Sequence, residues 1–207
     1  MKITSFESIP KFAQNGTYQI DISPKDLIKS IDQYVREDGL QLNPDFQRGH
    51  VWNQAQQISY LEFFLKGGKT GNIIYLNKPS WHSCAKTSYD EFVIVDGKQR
   101  LQAWTIFLNN EIKVFDSYFN EYTDSPRRST MKIKININDL ATKAEVLQWY
   151  IDFNSGGTVH SQAEIDRVKD LLLVERFRLE QVTSDVTCSD YYRSSMQIGK
   201  ADIPSGC

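Results

Sequence analysis

Apolar residues recur along much of the chain at intervals of three and four, which is the spacing of one helical face. Four of these runs follow a residue that can cap a helix. The pattern therefore predicts helices after Ser23, Asn53, Thr142 and Ser161, and a further helix from Leu101. At Thr142 and Ser161 an acidic residue three positions later completes a capping box.

Short runs rich in β-branched residues predict strands at 72–76, 92–95, 112–115 and 131–137. The run 92–95 is almost continuously apolar, which is typical of a strand covered on both faces. The run 131–137 alternates apolar residues with lysine and asparagine, as a half-exposed strand does. We expect the first two runs to be neighbours in a sheet.

The composition is that of a packed globule. The chain has 207 residues, of which 40% are hydrophobic and 12% aromatic. The chain does not begin with a basic segment followed by an apolar run, and no stretch approaches the roughly 20 apolar residues of a membrane span. We therefore expect a cytoplasmic protein without membrane contact. We expect one domain over 1–170 and, over 171–207, the end of the last helix and a polar tail from residue 181.

Charge and cysteine content narrow the function classes. The net charge of -2 and the pI near 5.9 disfavour a protein that coats nucleic acid nonspecifically, although a local basic groove stays open. The three cysteines, Cys84, Cys188 and Cys207, are widely spaced and form no CxxC pair. A disulfide framework and a zinc site are therefore disfavoured.

The segment 96–100, Asp-Gly-Lys-Gln-Arg, lies between an apolar strand and a helix. A strand that opens directly into a helix gathers backbone N–H groups and the positive end of the helix dipole at one point, where anions bind. Gly97 lets the backbone approach the anion, and Lys98 and Arg100 add cationic groups. Asp96 is placed to hold a metal, orient a water or accept a ligand hydroxyl.

The same segment has a purely structural interpretation. Asp-Gly is a common turn dipeptide, and Arg100 could pair with a nearby acid on the helix surface. Local chemistry alone supports the two interpretations equally.

Two further segments carry candidate ligand-binding residues. Gln47 and Arg48 lie beside His50 and Trp52 in an irregular stretch, where arginine next to aromatic residues suits stacking and phosphate contact. Packing of the arginine on the tryptophan at the protein surface is an alternative explanation for the same residues. Asn154 precedes two glycines, which could bring its amide to a ligand or could simply follow the end of a helix.

Taken in order, three segments resemble a known family, namely 43–48 with Val51 and Trp52, 95–101, and 153–157 with 161–165. They resemble the ParB/sulfiredoxin-like N-terminal domain of the GmrSD type IV restriction enzymes and their relatives, over residues 20–170. The signature is an Asp-Gly-x-Gln-Arg motif paired with an upstream Phe-Gln-Arg and Trp. The resemblance implies an α+β fold, with a small mixed β-sheet flanked by helices and a helical C-terminal part.

The resemblance also implies binding and hydrolysis of a nucleoside triphosphate, which full-length members couple to cleavage of modified DNA. Asp96, Gln99 and Arg100 match the hydrolytic motif, so the resemblance implies that they are catalytic. Gln47 and Arg48 match the upstream motif, which is expected to line the same pocket.

The chain departs from the family pattern in two ways. Lys98 replaces the glutamine common in the middle of the motif, which keeps a polar side chain and adds a charge. The chain also ends before an HNH-type nuclease domain could fit, so we expect a standalone form without that domain.

We therefore expect an NTPase, in a prokaryotic or phage setting of defence or counter-defence. Asp96, with or without Mg²⁺, would position the attacking water. The residues expected to bind the nucleotide and its phosphates are Gln47, Arg48, Trp52, Gly97, Lys98 and Asn154.

Two alternatives stay open. The first is a non-catalytic module that senses a nucleotide or modified DNA and acts through a partner, such as a separate nuclease or another defence protein. The second is a ParB-like nuclease that nicks DNA directly.

Overall fold

A computed structural model of the protein describes residue 4 and residues 18–47, 52–81, 89–124, 132–155 and 162–198, with 155, 162 and 182–198 described by their backbone alone. The elements in chain order are strand β1 (Tyr18–Ile22), helices α1 (Pro24–Glu37) and α2 (Gln54–Leu65), strands β2 (Ile73–Asn77) and β3 (Val93–Asp96), helix α3 (Lys98–Leu108), a short 3₁₀ helix (Phe119–Glu121), strand β4 (Ile133–Asn138), and helices α4 (Lys143–Ser155) and α5 (Gln162–Ile198). None of the helices in these ranges combines the length and apolarity that crossing a bilayer requires.

The four strands form one mixed sheet in the order β1-β4-β2-β3. β1 pairs antiparallel with β4, β4 parallel with β2, and β2 antiparallel with β3. The predicted α+β fold, with a small mixed sheet flanked by helices, is therefore confirmed, and the runs 72–76 and 92–95 are neighbours as expected. β1 is a strand that the pattern analysis missed.

Apolar side chains fill both faces of the sheet. On one face, the isoleucines of β4 pack against α1, α2 and α3 through residues that include Leu27, Leu61 and Trp104. On the other face, Val93 and Val95 of β3 pack against α4 and α5. β3 is therefore covered on both faces, as its apolar run predicted.

Side-chain caps begin three helices where the sequence predicted them. The Ser23 hydroxyl accepts a hydrogen bond from an amide of the first turn of α1 at 3.3 Å, and Asn53 forms a full capping box with Gln56 at α2. Thr142 and the acidic residue three positions later do the same at α4. Ser161, the predicted cap of the last helix, lies outside the described residues.

The predicted strand at 112–115 is wrong. Within this segment a single bridge forms, at Val114. Phe115 and Asp116 have φ values of 50° and 61°, and this left-handed backbone turns the chain back before a strand can extend. The run looked like a strand because Ile112 and Val114 are apolar, and both are buried in the core beside α3.

β4 is not the half-exposed strand that its alternation predicted. Asn136 and Asn138 are only 2% and 3% exposed. Tyr75, which is in register with Asn136 on the neighbouring strand, packs against Trp149 of α4 with ring centroids 5.9 Å apart. Helix α4 thus covers the polar side of the strand as well.

Helix α5 runs to Ile198, so helical backbone extends over most of the segment 181–207 that the sequence suggested was a polar tail. On the part of α5 with described side chains, several apolar residues are exposed, among them Leu173 and Phe177. The division of the chain after residue 170 stays a prediction.

Candidate functional site

The candidate site lies where β3 ends and α3 begins. Asp96 is the last residue of β3, Gly97 is the N-cap of α3 and Lys98 is its first residue, so the helix begins earlier than the predicted Leu101. Gly97 has a φ of 101°, in the left-handed region, and provides no side-chain cap. Because the first N–H groups of a helix have no partner within it and the positive end of its dipole lies there, the junction favours an anion.

A cleft with a volume of about 60 Å³ opens at this junction. The cleft is small and partly open to solvent, with room for a group the size of a phosphate at the junction. The residues that line the cleft are Gln47, Val95, Asp96, Gly97, Lys98, Gln99, Tyr150 and Asn154. Three distant segments thus bring together six of the residues that the sequence assigned to the site.

Gln47 is anchored to the end of β3. Its Nε2 donates hydrogen bonds to the carbonyl oxygens of Ile94 and Val95, each at 2.8 Å. Its neighbour Phe46 is 1% exposed and packs edge-on against Tyr150, with ring centroids 5.4 Å apart. The upstream motif and the segment 96–100 therefore meet at one cleft, as the sequence predicted for Gln47.

Arg100 lies beside the cleft and is absent from its lining. Its Nη2 donates to Oδ2 of Asp96 at 2.5 Å, and its Nη1 donates to the carbonyl oxygen of Ile73 at the start of β2. The side chains of Arg100 and Asp96 are 20% and 27% exposed. In this arrangement the guanidinium group orients the Asp96 carboxylate, which is the pairing with a nearby acid that the structural interpretation of the motif described.

Gln99 links α3 to the segment before α2. Its Oε1 accepts a hydrogen bond from the backbone N–H of Trp52 at 3.2 Å. The Trp52 ring packs against Tyr60, with centroids 5.4 Å apart, and is absent from the cleft lining. Trp52 thus contacts Gln99 and Tyr60, and the ligand contact predicted for it stays a prediction.

Lys98 is the cationic residue among the described residues that line the cleft. Burial lowers the pKa of its ammonium group, because desolvation disfavours the charged form. An anion in the cleft would oppose that shift, since an opposite charge nearby favours the charged lysine.

Helix α4 supplies the remaining wall of the cleft. Asn154 lines it, and the Nδ2 of Asn154 donates to the carbonyl oxygen of Tyr150 at 2.7 Å. Because α4 extends to Ser155, Asn154 is helical, and the two glycines after it lie outside the described residues. Tyr150 is a lining residue that the sequence analysis missed. Its position four residues before Asn154, on the same helical face, is the signal that could have identified it.

Phosphate contact by Arg48 and binding of a metal ion stay predictions. Arg48 lies outside the described residues. Among those that are described, no three or more histidine, cysteine, aspartate and glutamate side chains are grouped to hold a metal ion. Asp96 is the carboxylate on the cleft lining, and Mg²⁺ in phosphate sites is commonly held by one or two carboxylates together with the phosphates themselves.

Fold and cleft together define an α+β protein with a small cleft at the junction of a strand and a helix. The family model described as GmrSD restriction endonuclease, N-terminal domain, matches residues 25–131. This span is more than half of the chain, and the chain belongs to that family. Comparisons with curated proteins and with solved structures gave no match.

The matched span contains α1, α2, β2, β3 and α3, and with them Gln47 and the segment 96–100. Strands β1 and β4 and helices α4 and α5 lie outside it, and so do Tyr150 and Asn154. The cleft is therefore built partly from the matched span and partly from the chain that follows it. The finer likeness to ParB proteins and the standalone form without an HNH domain stay predictions.

Proposed function

We propose that the protein binds a nucleoside triphosphate at the cleft and hydrolyses it, in the setting of DNA restriction that the family description names. One observation carries the proposal, namely that Gly97, with a φ of 101°, opens α3 at the cleft with Lys98 beside it. Backbone N–H groups, a helix dipole and a lysine at one point form a typical phosphate site. The small volume admits the terminal phosphate, and the nucleoside extends outside.

Asp96 has the central role in the proposed reaction. Arg100 holds its Oδ2, which leaves Oδ1 to accept a hydrogen bond from the attacking water or to bind Mg²⁺. The water oxygen attacks the terminal phosphorus, and the bond from that phosphorus to the bridging oxygen breaks. The nucleoside diphosphate leaves, and the water proton passes to the released phosphate. Hydrolysis that persists in EDTA would assign the positioning of water to Asp96 alone.

The test is release of inorganic phosphate from GTP, ATP and CTP by the wild type and by the Asp96→Ala and Arg100→Ala variants. We expect each substitution to lower the rate by about 100-fold or more, as for other groups that position or activate a reactant. Asp32→Ala, which removes an exposed carboxylate on α1, is the matched control and should keep the wild-type rate. Thermal unfolding of each variant separates lost chemistry from lost fold, and equal rates in all proteins would sink the proposal.

A second function, nucleotide sensing without turnover, is favoured by the contact between Asp96 and Arg100. Arg100 Nη2 lies 2.5 Å from Oδ2 of Asp96, and a carboxylate held in such an ion pair can fix the geometry of a binding site without activating a water. The domain would then signal to a separate nuclease or to another defence protein. Calorimetry that detects tight nucleotide binding without any product would favour this function over hydrolysis.

A further inference from the structure

The loop that carries Gln47 is held from the two C-terminal helices. Arg167 of α5 donates from Nη1 to the carbonyl oxygen of Asp45 at 2.8 Å and from Nη2 to that of Phe46 at 3.0 Å. Lys143 of α4 contacts Oδ2 of Asp45 at 2.6 Å. Two cations thus bind the two residues that immediately precede Gln47.

These contacts continue into the cleft. The backbone N–H of Gln47 donates to the carbonyl oxygen of Pro44 at 3.0 Å, and its side chain donates to the end of β3. Movement of the Asp45 and Phe46 carbonyls would therefore displace a residue of the cleft lining. Arg167 reaches this loop across more than a hundred residues of sequence, from a helix outside the span that matches the family.

The two contacts differ in strength. Arg167 forms a fork of two charge-assisted hydrogen bonds to fixed backbone oxygens, a geometry that lysine does not reproduce. The Lys143 and Asp45 side chains are 21% and 55% exposed, and exposed pairs contribute little. Burial lowers the pKa of Lys143, but the hydrogen bond and charge of Asp45, together with the charges of Glu91 and Glu175, more than offset that effect and the pKa is raised.

We propose that Arg167, assisted by Lys143, is a positioning residue for the cleft, because it holds the loop of Asp45 and Phe46 and thereby sets the position of Gln47. This inference rests on the proposed function for its ligand. It assigns control of nucleotide affinity to α5, and Arg167 acts through Gln47 without touching the nucleotide.

The first test uses the ligand-free protein. Hydrogen exchange at the Gln47 amide should be faster in Arg167→Met than in the wild type, because that amide's hydrogen bond lies within the loop that Arg167 holds. Lys169→Met, which removes a cation on the same helix that pairs with Asp166 at 3.4 Å, is the matched control and should leave this exchange unchanged. Equal exchange in the wild type and Arg167→Met would overturn the inference whether or not nucleotides bind.

The second test is a double-mutant cycle on GTP affinity, measured by calorimetry. Arg167→Met should weaken binding by about tenfold, within the range of coupling between contacting residues. In a Gln47→Ala background the same substitution should have almost no further effect, whereas a merely structural role would give additive losses and overturn the inference. Failure of the wild type to bind GTP, ATP or CTP would refute the proposed function and leave the exchange experiment to decide the role of Arg167.

Discussion

At the scale of single residues, Gly97 meets two constraints at once. Its φ of 101° is a conformation that side chains disfavour, and a Cβ there would lie 2.7 Å from Cδ1 and 3.1 Å from Cα of Ile74. We expect Gly97→Ala to lower the free energy of unfolding by about 2 to 4 kcal/mol, from backbone strain together with overpacking. Urea unfolding measures this loss.

Gly39 provides the matched control for that substitution. It also has a positive φ, of 71°, but a Cβ added there would meet no other atom within 4 Å. Gly39→Ala should therefore cost only the backbone strain, about 1 kcal/mol. Equal losses at Gly39 and Gly97 would contradict the close approach of β2 to the junction.

Lys98 gives the cleft a dependence on pH. Its ammonium group attracts phosphate below its pKa and is neutral above it, and burial lowers that pKa. GTP affinity should therefore fall as the pH rises, beginning at a lower pH than for an exposed lysine with a pKa of about 10.4. Calorimetry across the alkaline range measures this fall.

The Lys98→Arg variant is the control for the pH profile. Arginine keeps its charge up to a pH of about 12, so its affinity should stay nearly constant over the same range. A wild-type affinity that does not change with pH would show that the Lys98 charge contributes nothing to binding.

Sequence reasoning assigned the lining of the cleft better than it assigned the roles of its neighbours. Gly97, Lys98 and Gln47 lie on the cleft as motif and spacing predicted, because the junction of β3 and α3 fixes Gly97 and Lys98, and the end of β3 holds Gln47. The long side chain of Arg100 has several acceptors within reach. Its hydrogen bonds depend on the Ile73 carbonyl, which comes from a distant strand. Tyr150 was missed because its contribution depends on how α4 packs against the sheet.

At the scale of elements, Asn77 joins the end of β2 to the segment before α4. Its Nδ2 donates to the carbonyl oxygen of Leu140 at 3.2 Å, and its Oδ1 accepts from the Leu140 amide at 2.9 Å. Asn77 is fully buried, so Asn77→Ala should lower the free energy of unfolding by about 1 to 3 kcal/mol through unpaired polar groups.

Gln19 is the control for Asn77, since it is an exposed amide on β1. Gln19→Ala should change the free energy of unfolding by less than about 0.5 kcal/mol. If urea unfolding gave the two variants the same stability, the contact between Asn77 and Leu140 would not be what links the elements.

Local capping chemistry predicted helix starts well, because the cap and its amide partner lie within one turn, as at Asn53. Burial was harder to predict from the sequence. The alternation in β4 is typical of one exposed face, yet Asn136 is buried because α4 covers it. In the segment 112–115, the apolar residues Ile112 and Val114 are buried, but their burial does not require a strand.

At the scale of the whole molecule, the sheet depends on a strand outside the span that matches the family. β4 lies between β1 and β2, and its isoleucines are in the main core. The matched span ends at residue 131, before β4 begins. A chain cut there would leave β1 without its partner and expose one edge of β2.

We therefore expect a fragment of residues 1–131 to lack a cooperative unfolding transition by circular dichroism, because the loss of β4 removes both the centre of the sheet and part of the core. A fragment of residues 1–181 is the control. It keeps the four strands, α4 and the part of α5 whose buried residues extend to Leu172, so it should unfold cooperatively and close to the temperature of the full chain. Cooperative unfolding of the shorter fragment would mean that the matched span folds by itself, and that β4 and the helices after it dock onto a preformed domain.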